Sequence, residues 1–357
     1  MQYDKITLPI KIDDIECVTE CWTHNRMVVL KTSPYYEDWL ASHYDIYTTN
    51  QYNFRFGETW MYTPDYYDTI LESKPLQLLA LTEENVIKKI KSELQKGYYI
   101  NMVIKPVRES ERLHEVLFYG YDDEKEVLLA VGNANRGFHT TEYSYKYLEE
   151  TLCEIQENIQ SRQLRGMELS IQYQNPIYAF KLREDYPVEN CVFHAYRKLI
   201  NEVEGICFQE GKRNESWVFR VCSKVYRGIS CLHALTEMIH EVMAGKELDP
   251  GCQGMTIAVQ KLYEHRCMVI ISMKYIQRKW EKAMKPQSTE CILKYEECCK
   301  AVEKWVKLML KYEITGDEAI LKRILAEIPE IYEKEYNILT EFINEGIHWD
   351  SFNKNYI

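Results

Sequence analysis

No apolar run in these 357 residues approaches the ~20 needed to span a bilayer. The opening stretch, MQYDKITLPIKIDDIECV, lacks a basic segment followed by an apolar core, so it does not read as a secretory signal. Both absences imply a cytoplasmic protein with no membrane partner. No C-x-x-C occurs among the 12 cysteines, and their scatter along a long chain argues against a disulfide framework. Most are expected to be small apolar core residues, and Cys298 and Cys299, adjacent on a helical stretch, include at least one of these. Positive charge is also short. Residues 1–183 carry 20 Lys and Arg against 28 Asp and Glu, and the remainder carries 24 against 27, which together make the net −11. With neither half basic, nucleic acid is excluded as a main partner, because phosphate contacts need a positive surface. Internal repeats and low-complexity segments are absent as well.

What is present is an ordinary globular mixture, 46% hydrophobic and 28% charged, with 28 tyrosines. Tyrosine suits an apolar wall with hydroxyl handles and is equally ordinary strand filler. The first half mixes short elements. CWTHNRMVVLKT reads as a helix opening near Cys21, and PYYEDWLASHY as a second with Pro34 at its start. TEENVIKKIKSELQKG is an amphipathic helix. Thr82 is its expected cap, Val86, Ile87, Ile90 and Leu94 its apolar face, and Gly97 its stop. YYINMVIKPV, HEVLFYGYD and EVLLAVG read as strands, the last two joined as a hairpin by DDEK. YSYKYLEETLCEIQENIQ returns to helix, and MELSIQYQNPIYAFKL reads as a closing strand pair broken at Asn175-Pro176. Beyond REDYPVEN every long segment is helical in period, including SWVFRVCSKVYRGISCLHALTEMIHEVMAG. The expected fold class is therefore α+β: residues 1–184 with an antiparallel sheet, then an all-helical domain over 185–357.

One constellation carries chemistry. A thiol becomes a competent nucleophile as the thiolate, which a helix N-terminus and a nearby imidazole favour. Cys21 opens the first helix, in the positive end of its dipole, and its own N–H is placed to donate to an oxyanion. Cys17 is the competitor but precedes the helix. His114 opens a strand that runs into the hairpin, where it is expected to serve as base if that strand packs beside the first helix. The returning strand ends at VGNANRG, which brings Asn133 back towards the level of His114 as an orienting acceptor.

Here ENVIKKIKSELQKGYYINMVIKP followed by LHEVLFYGYDDEKEVLLAVGN resembles the papain-like proteins of antibiotic gene clusters. That group includes the butirosin-biosynthesis protein H acyltransferases and proteins found beside nonribosomal peptide synthetases. It is distantly similar to the bacteriocin-processing papain-like peptidases. The resemblance covers roughly residues 15–180 and rests on His114-Glu115-Val116-Leu117 and GYDDEK, with CWTHNRMVVL matching more loosely. It implies a papain-like first domain with a Cys21–His114–Asn133 triad. The activity it implies is amide formation. An acyl group would pass from the phosphopantetheine thioester of an acyl or peptidyl carrier protein, through an acyl-cysteine, to a small-molecule amine. Polythioamide-type antibiotic pathways are one setting for such a member. No bound cofactor and no metal are expected, an oligomer is compatible with the sequence, and the helical domain is expected to roof the cleft. Two features depart from the family. Gly132 stands where relatives place an Asp, with Asn133 next, and no Gln precedes the cysteine to complete an oxyanion hole.

Three rival readings stay open. The same fold would serve a cysteine peptidase or thioesterase, or a degenerate papain fold that binds a carrier protein or peptide. In the last case His114 is a strand-capping histidine, Cys21 a packed thiol and Asn133 a hairpin-end residue. Cys191 and His194, and His233 and His240, lie on helices without a second ligand pair at zinc spacing. His24, at i+3 from Cys21, lies along the same helix rather than across a cleft. Lys88, Lys89 and Lys91 read as a solvated face, or as a patch that docks an acidic carrier protein.

Overall fold

A computed structural model describes residues 5–49, 52, 54–56, 66–76, 80–104, 114–134, 137–164, 177–205, 225–248 and 254–348. The chain divides into two compact units. The first comprises Met1–Tyr36 and Tyr67–Tyr186, the second Glu37–Tyr66 and Pro187–Ile357. The sequence reading draws one line at 184. The packing draws it at 186 and assigns residues 37–66 to the second unit.

The first unit is built on an antiparallel sheet. Its strands are β1 (Lys5–Thr7), β4 (Leu71–Pro75), β5 (Tyr99–Ile104), β6 (His114–Asp122), β7 (Val127–Ala134), β8 (Gly137–Ser144) and β9 (Ile177–Leu182). They run in the order β4-β9-β5-β6-β7-β8, with β1 paired to the far end of β6. The β6–β7 hairpin turns through residues 123–126, as DDEK implies. Residues 137–142, outside any element expected from the sequence, form β8 together with Tyr143 and Ser144. The helix expected from Tyr143 begins only at Tyr145, as α4 (Tyr145–Leu164). Gly120 is required where β1 crosses β6: a Cβ there would drive into the Ile6 carbonyl oxygen. The register of β6 against β7 slips at this point, between Phe118 and Gly120.

Helices cover both faces. On one lie α3 (Val86–Gln95) and α4. Val86, Ile87, Ile90 and Leu94 of α3 and Leu148, Leu152 and Ile155 of α4 share a core with Ile100, Met102, Val116, Phe118 and Ala130. The cap of α3 is Asn85 rather than Thr82. The Asn85 Oδ1 accepts from the Thr82 N–H at 2.9 Å, closing the turn before the helix. Gly97 takes the left-handed φ of +80° that ends it. On the other face lies α1 (Cys21–Leu30). Residues 167–175, expected as the first half of the closing strand pair, lie outside the described residues.

Among the described residues, the second unit joins α2 (Tyr36–Ser42), β2 (Ile46–Thr49) and β3 (Arg55–Phe56) to β10 (Val225–Arg227) and five further helices. These are α5 (Cys191–Glu204), α6 (Cys231–Met243), α7 (Met255–Lys279), α8 (Pro286–Thr315) and α9 (Glu318–Glu345). The expectation of an all-helical domain is corrected by a three-stranded sheet, β10-β2-β3. VYR is helical in period because it runs into α6, but its backbone groups pair with β2, which comes from residues 46–49. Ile46 and Phe54 enter one core with Leu232, Leu235, Trp305, Leu321 and Ile324. Buried polar groups fasten the segment in place. Lys261 Nζ donates to the Phe54 carbonyl at 2.8 Å, Ser272 Oγ to that of Ala41 at 2.7 Å, and Arg227 pairs with Asp45. Deeper still, Arg266 holds Glu335 through two bonds of 2.5 and 2.6 Å. Among the described residues no helix is long and apolar enough to cross a membrane.

Candidate functional site

The α1 face of the sheet is where the sequence reading places its chemistry. Cys21 is the first residue of α1, half-buried, with Glu20 as the extended N-cap. It therefore stands at the positive end of the helix, as expected. Cys17 is fully buried. His114 is the first residue of β6 and half-buried.

Helix α1 lies over β6 and β7 and reaches β5 through one side-chain bond. Asn25 Nδ2 donates to Asn101 Oδ1 at 2.7 Å, and the Trp22 ring lies 4.9 Å from that of Tyr178 on β9. His24 stacks on Phe138 of β8 at 3.5 Å. The start of β6 belongs to the same neighbourhood. Glu115, next to His114, feels the charges of Arg26 and of Glu20, the residue before Cys21. On the other side, β7 returns towards the same level. Val131 pairs with Leu117, and Asn133 lies two positions further along β7, paired with Phe138.

Register adds what the sequence reading lacks. In an antiparallel ladder, paired residues share a face and neighbours along a strand alternate. His114 pairs with Ile104, and Val116 with Met102. Ile104, Val116 and Met102 all belong to the core beneath α3 and α4. Asn101, bonded to Asn25 of α1, pairs with Leu117, which places this pair on the face of α1; Glu115, two positions from Leu117, shares that face, although its partner Val103 also reaches the core beneath α3 and α4. The strand position turned towards α1 is thus Glu115, with His114 one step away at the strand's end.

Glu115 belongs to a buried polar cluster under α1. Arg26 lies over the Trp22 ring at 3.4 Å, the Tyr67 ring at 4.3 Å and the Tyr178 ring at 5.2 Å. Such an aromatic collar holds a guanidinium by its faces. Burial pushes the Glu115 carboxyl up to about 8; Arg26 draws it down, Glu20 raises it, and Asn101 draws it down. Neither carboxyl oxygen, nor Asn101 Nδ2, reaches a partner in hydrogen-bond geometry. Asn101 is therefore a close polar neighbour rather than a bonded one, and burial wins. At neutral pH the group is mostly the protonated acid, a buried O–H donor. Burial also lowers His24 to about 3, so that its ring stays neutral. Arg26 is left as the cation of the cluster.

The other sequence candidates disperse. The Cys191 thiol points at the Pro187 carbonyl at 3.7 Å, and His233 packs on Tyr332 at 4.4 Å. Among the described residues no group of three or more His, Cys, Asp or Glu is placed to hold a metal ion. Lys91 is bonded to Asp123 at 2.5 and 2.7 Å. Lys88 and Lys89 are exposed and edge a groove of about 610 Å³ lined by Pro75, Leu76, Ala80, Leu81, Asn85 and Ser92. Lys89 also pairs with Glu93 at 3.4 Å. Sequence reasoning reaches neither Glu115 nor this groove. Strand parity is the signal for the first; apolar Leu76 and Leu81 flanking the lysine-bearing helix are the signal for the second. A scan against protein-family models matches none, and a search of curated proteins returns no match.

Proposed function

We propose that the sheet-bearing unit is a papain-like cysteine acyltransferase that forms an amide from a carrier-protein thioester. One observation carries this reading: Cys21 is the first residue of α1, in the positive end of the helix, and the residues around that end neighbour the start of β6. The Cys21 thiolate attacks the carbonyl carbon of an acyl-phosphopantetheine, its own N–H donates to the oxyanion, and the pantetheine thiolate leaves. An amine then attacks the acyl-cysteine. His114, at the start of β6, takes the amine's proton, and Asn133 orients the imidazole. Intact mass after mixing with acyl-carrier protein should show an acyl adduct that Cys21→Ala abolishes. His114→Ala should slow amide formation by roughly 10²–10⁴-fold. A Cys21→Ala chain that still takes the adduct overturns the reading. A hydrolase would yield free acid with or without amine, which product analysis separates from the transferase.

A second reading is favoured by the register and by the groove beside α3. It makes the unit a scaffold that binds a carrier protein without covalent chemistry. The position turned to α1 is then a neutral acid, Glu115, and the working surface lies on the opposite face. Leu76 and Leu81 suit an acyl-phosphopantetheine arm, and Lys88 and Lys89 suit the acidic surface that delivers it. Titration with a fluorescent acyl-carrier protein should then give saturable binding without an adduct, weakened about tenfold by Lys88→Glu with Lys89→Glu.

A further inference from the structure

In the second unit, α7 and α8 are antiparallel neighbours joined by a short turn through residues 280–285. Cys267 on α7 and Cys299 on α8 face each other with their sulfurs 3.7 Å apart. Cys267 is half-buried and Cys299 is 5% exposed, so solvent reaches the pair from the Cys267 side. A disulfide needs sulfurs at about 2.05 Å, within reach of a small rotation of the two side chains. We propose that Cys267 and Cys299 form a reversible dithiol–disulfide site that reacts with hydroperoxides.

The surroundings divide the roles. Either thiol can donate in the bond between them, but Cys267 is the more exposed sulfur and also accepts from the Tyr263 hydroxyl one turn earlier on α7, which lowers its pKa, while burial raises Cys299. Cys267 is therefore the attacking sulfur. Its thiolate takes the distal oxygen of the peroxide, breaking the O–O bond; the other oxygen leaves as water or alcohol, and Cys267 becomes a sulfenic acid. The Cys299 sulfur then attacks the Cys267 sulfur, the S–O bond breaks, and the oxygen departs as water with the Cys299 proton. Two thiols and one hydroperoxide yield one disulfide, one water from the sulfenic acid, and one water or alcohol from the peroxide. An external thiol reverses the step by exchange. Cys298, next in sequence, lies about 100° further round α8, and the sulfur that meets Cys267 at 3.7 Å is that of Cys299, so Cys298 is not the resolving group.

The test uses the full chain and hydrogen peroxide. Peroxide should remove two hydrogens from the intact mass, and dithiothreitol should restore them. Trypsin should release peptide 267–274 joined to peptide 295–300. Because the second peptide holds both Cys298 and Cys299, variants decide between them. Cys298→Ala should keep the cross-link. Cys299→Ala should lose it and leave a sulfenic acid at Cys267 that dimedone traps. An unchanged mass, oxygen addition to Cys267 in the unaltered chain without loss of two hydrogens, or a cross-link that survives Cys299→Ala, overturns the proposal. Circular dichroism of each variant, matched to the parent before oxidation, guards against reading misfolding as chemistry.

Discussion

At position 115 a carboxyl group sits where water cannot solvate its charge. Its proton is held to about pH 8 in the folded chain, against 4.5 for a free glutamate side chain. A proton held this way favours the folded chain fully below the unfolded value, and the advantage is lost as pH climbs to the folded one. Between about 4.5 and 8 the folded chain keeps a proton that the unfolded chain releases, so stability should fall by up to ~1.4 kcal/mol per pH unit from this group alone. Glu115→Gln replaces the acid with a neutral group of the same shape. Urea unfolding at pH 5 and pH 8 should show the variant close to the parent at the lower pH and more stable by a few kcal/mol at the higher. An unchanged pH slope in the variant would mean the carboxyl is solvated.

At the scale of single elements, much of the first unit was legible. Helix α3 shows its apolar face at a clean helical period, and DDEK marks the hairpin between two strongly apolar strands. The place of Cys21 at the start of α1 and of His114 at the start of β6 also followed from the order of elements. Which of His114 and Glu115 turns towards α1 did not, and the cause is definite. Helices cover both faces of β6, and seven of its nine residues, all but His114 and Tyr119, are buried. A strand buried on both sides announces itself but hides its parity, and a slip of one residue exchanges Glu115 for His114. The bulge at Tyr119 adds a further shift that no local pattern reveals. Strands β2 and β10 escape sequence reading because they are short and lie on either side of the first unit's main stretch, with Thr49 partnering Val225. Close approach of two strands gives a test at Gly120. Gly120→Ala should push β1 from β6 and cost ~1–3 kcal/mol. Amide exchange at Leu8, whose N–H donates to the Tyr119 carbonyl at 2.7 Å, should accelerate in the variant. Unchanged exchange there would show that β1 adapts without loss.

On the scale of the whole molecule, the second unit is assembled from two stretches of chain that the first unit interrupts. A fragment of residues 187–357 lacks the partner strand of β10, the Asp45 partner of Arg227 and the carbonyls that Lys261 and Ser272 bind. Such a fragment should unfold with a shallower, less cooperative urea transition than the same unit in the full chain. Adding a peptide of residues 37–66 should sharpen it. A fragment as cooperative as the intact unit would show that the inserted segment contributes little. The divided unit also imposes an order on synthesis. Phe54 and Lys261 are separated by 207 residues, so at ~5–20 residues per second Phe54 waits ~10–40 s for its lysine to leave the ribosome. For most of that interval Trp39, Leu40, Ile46 and Phe56, all buried in the finished fold, wait for the helices that complete their core, which makes the segment a natural early client for a chaperone.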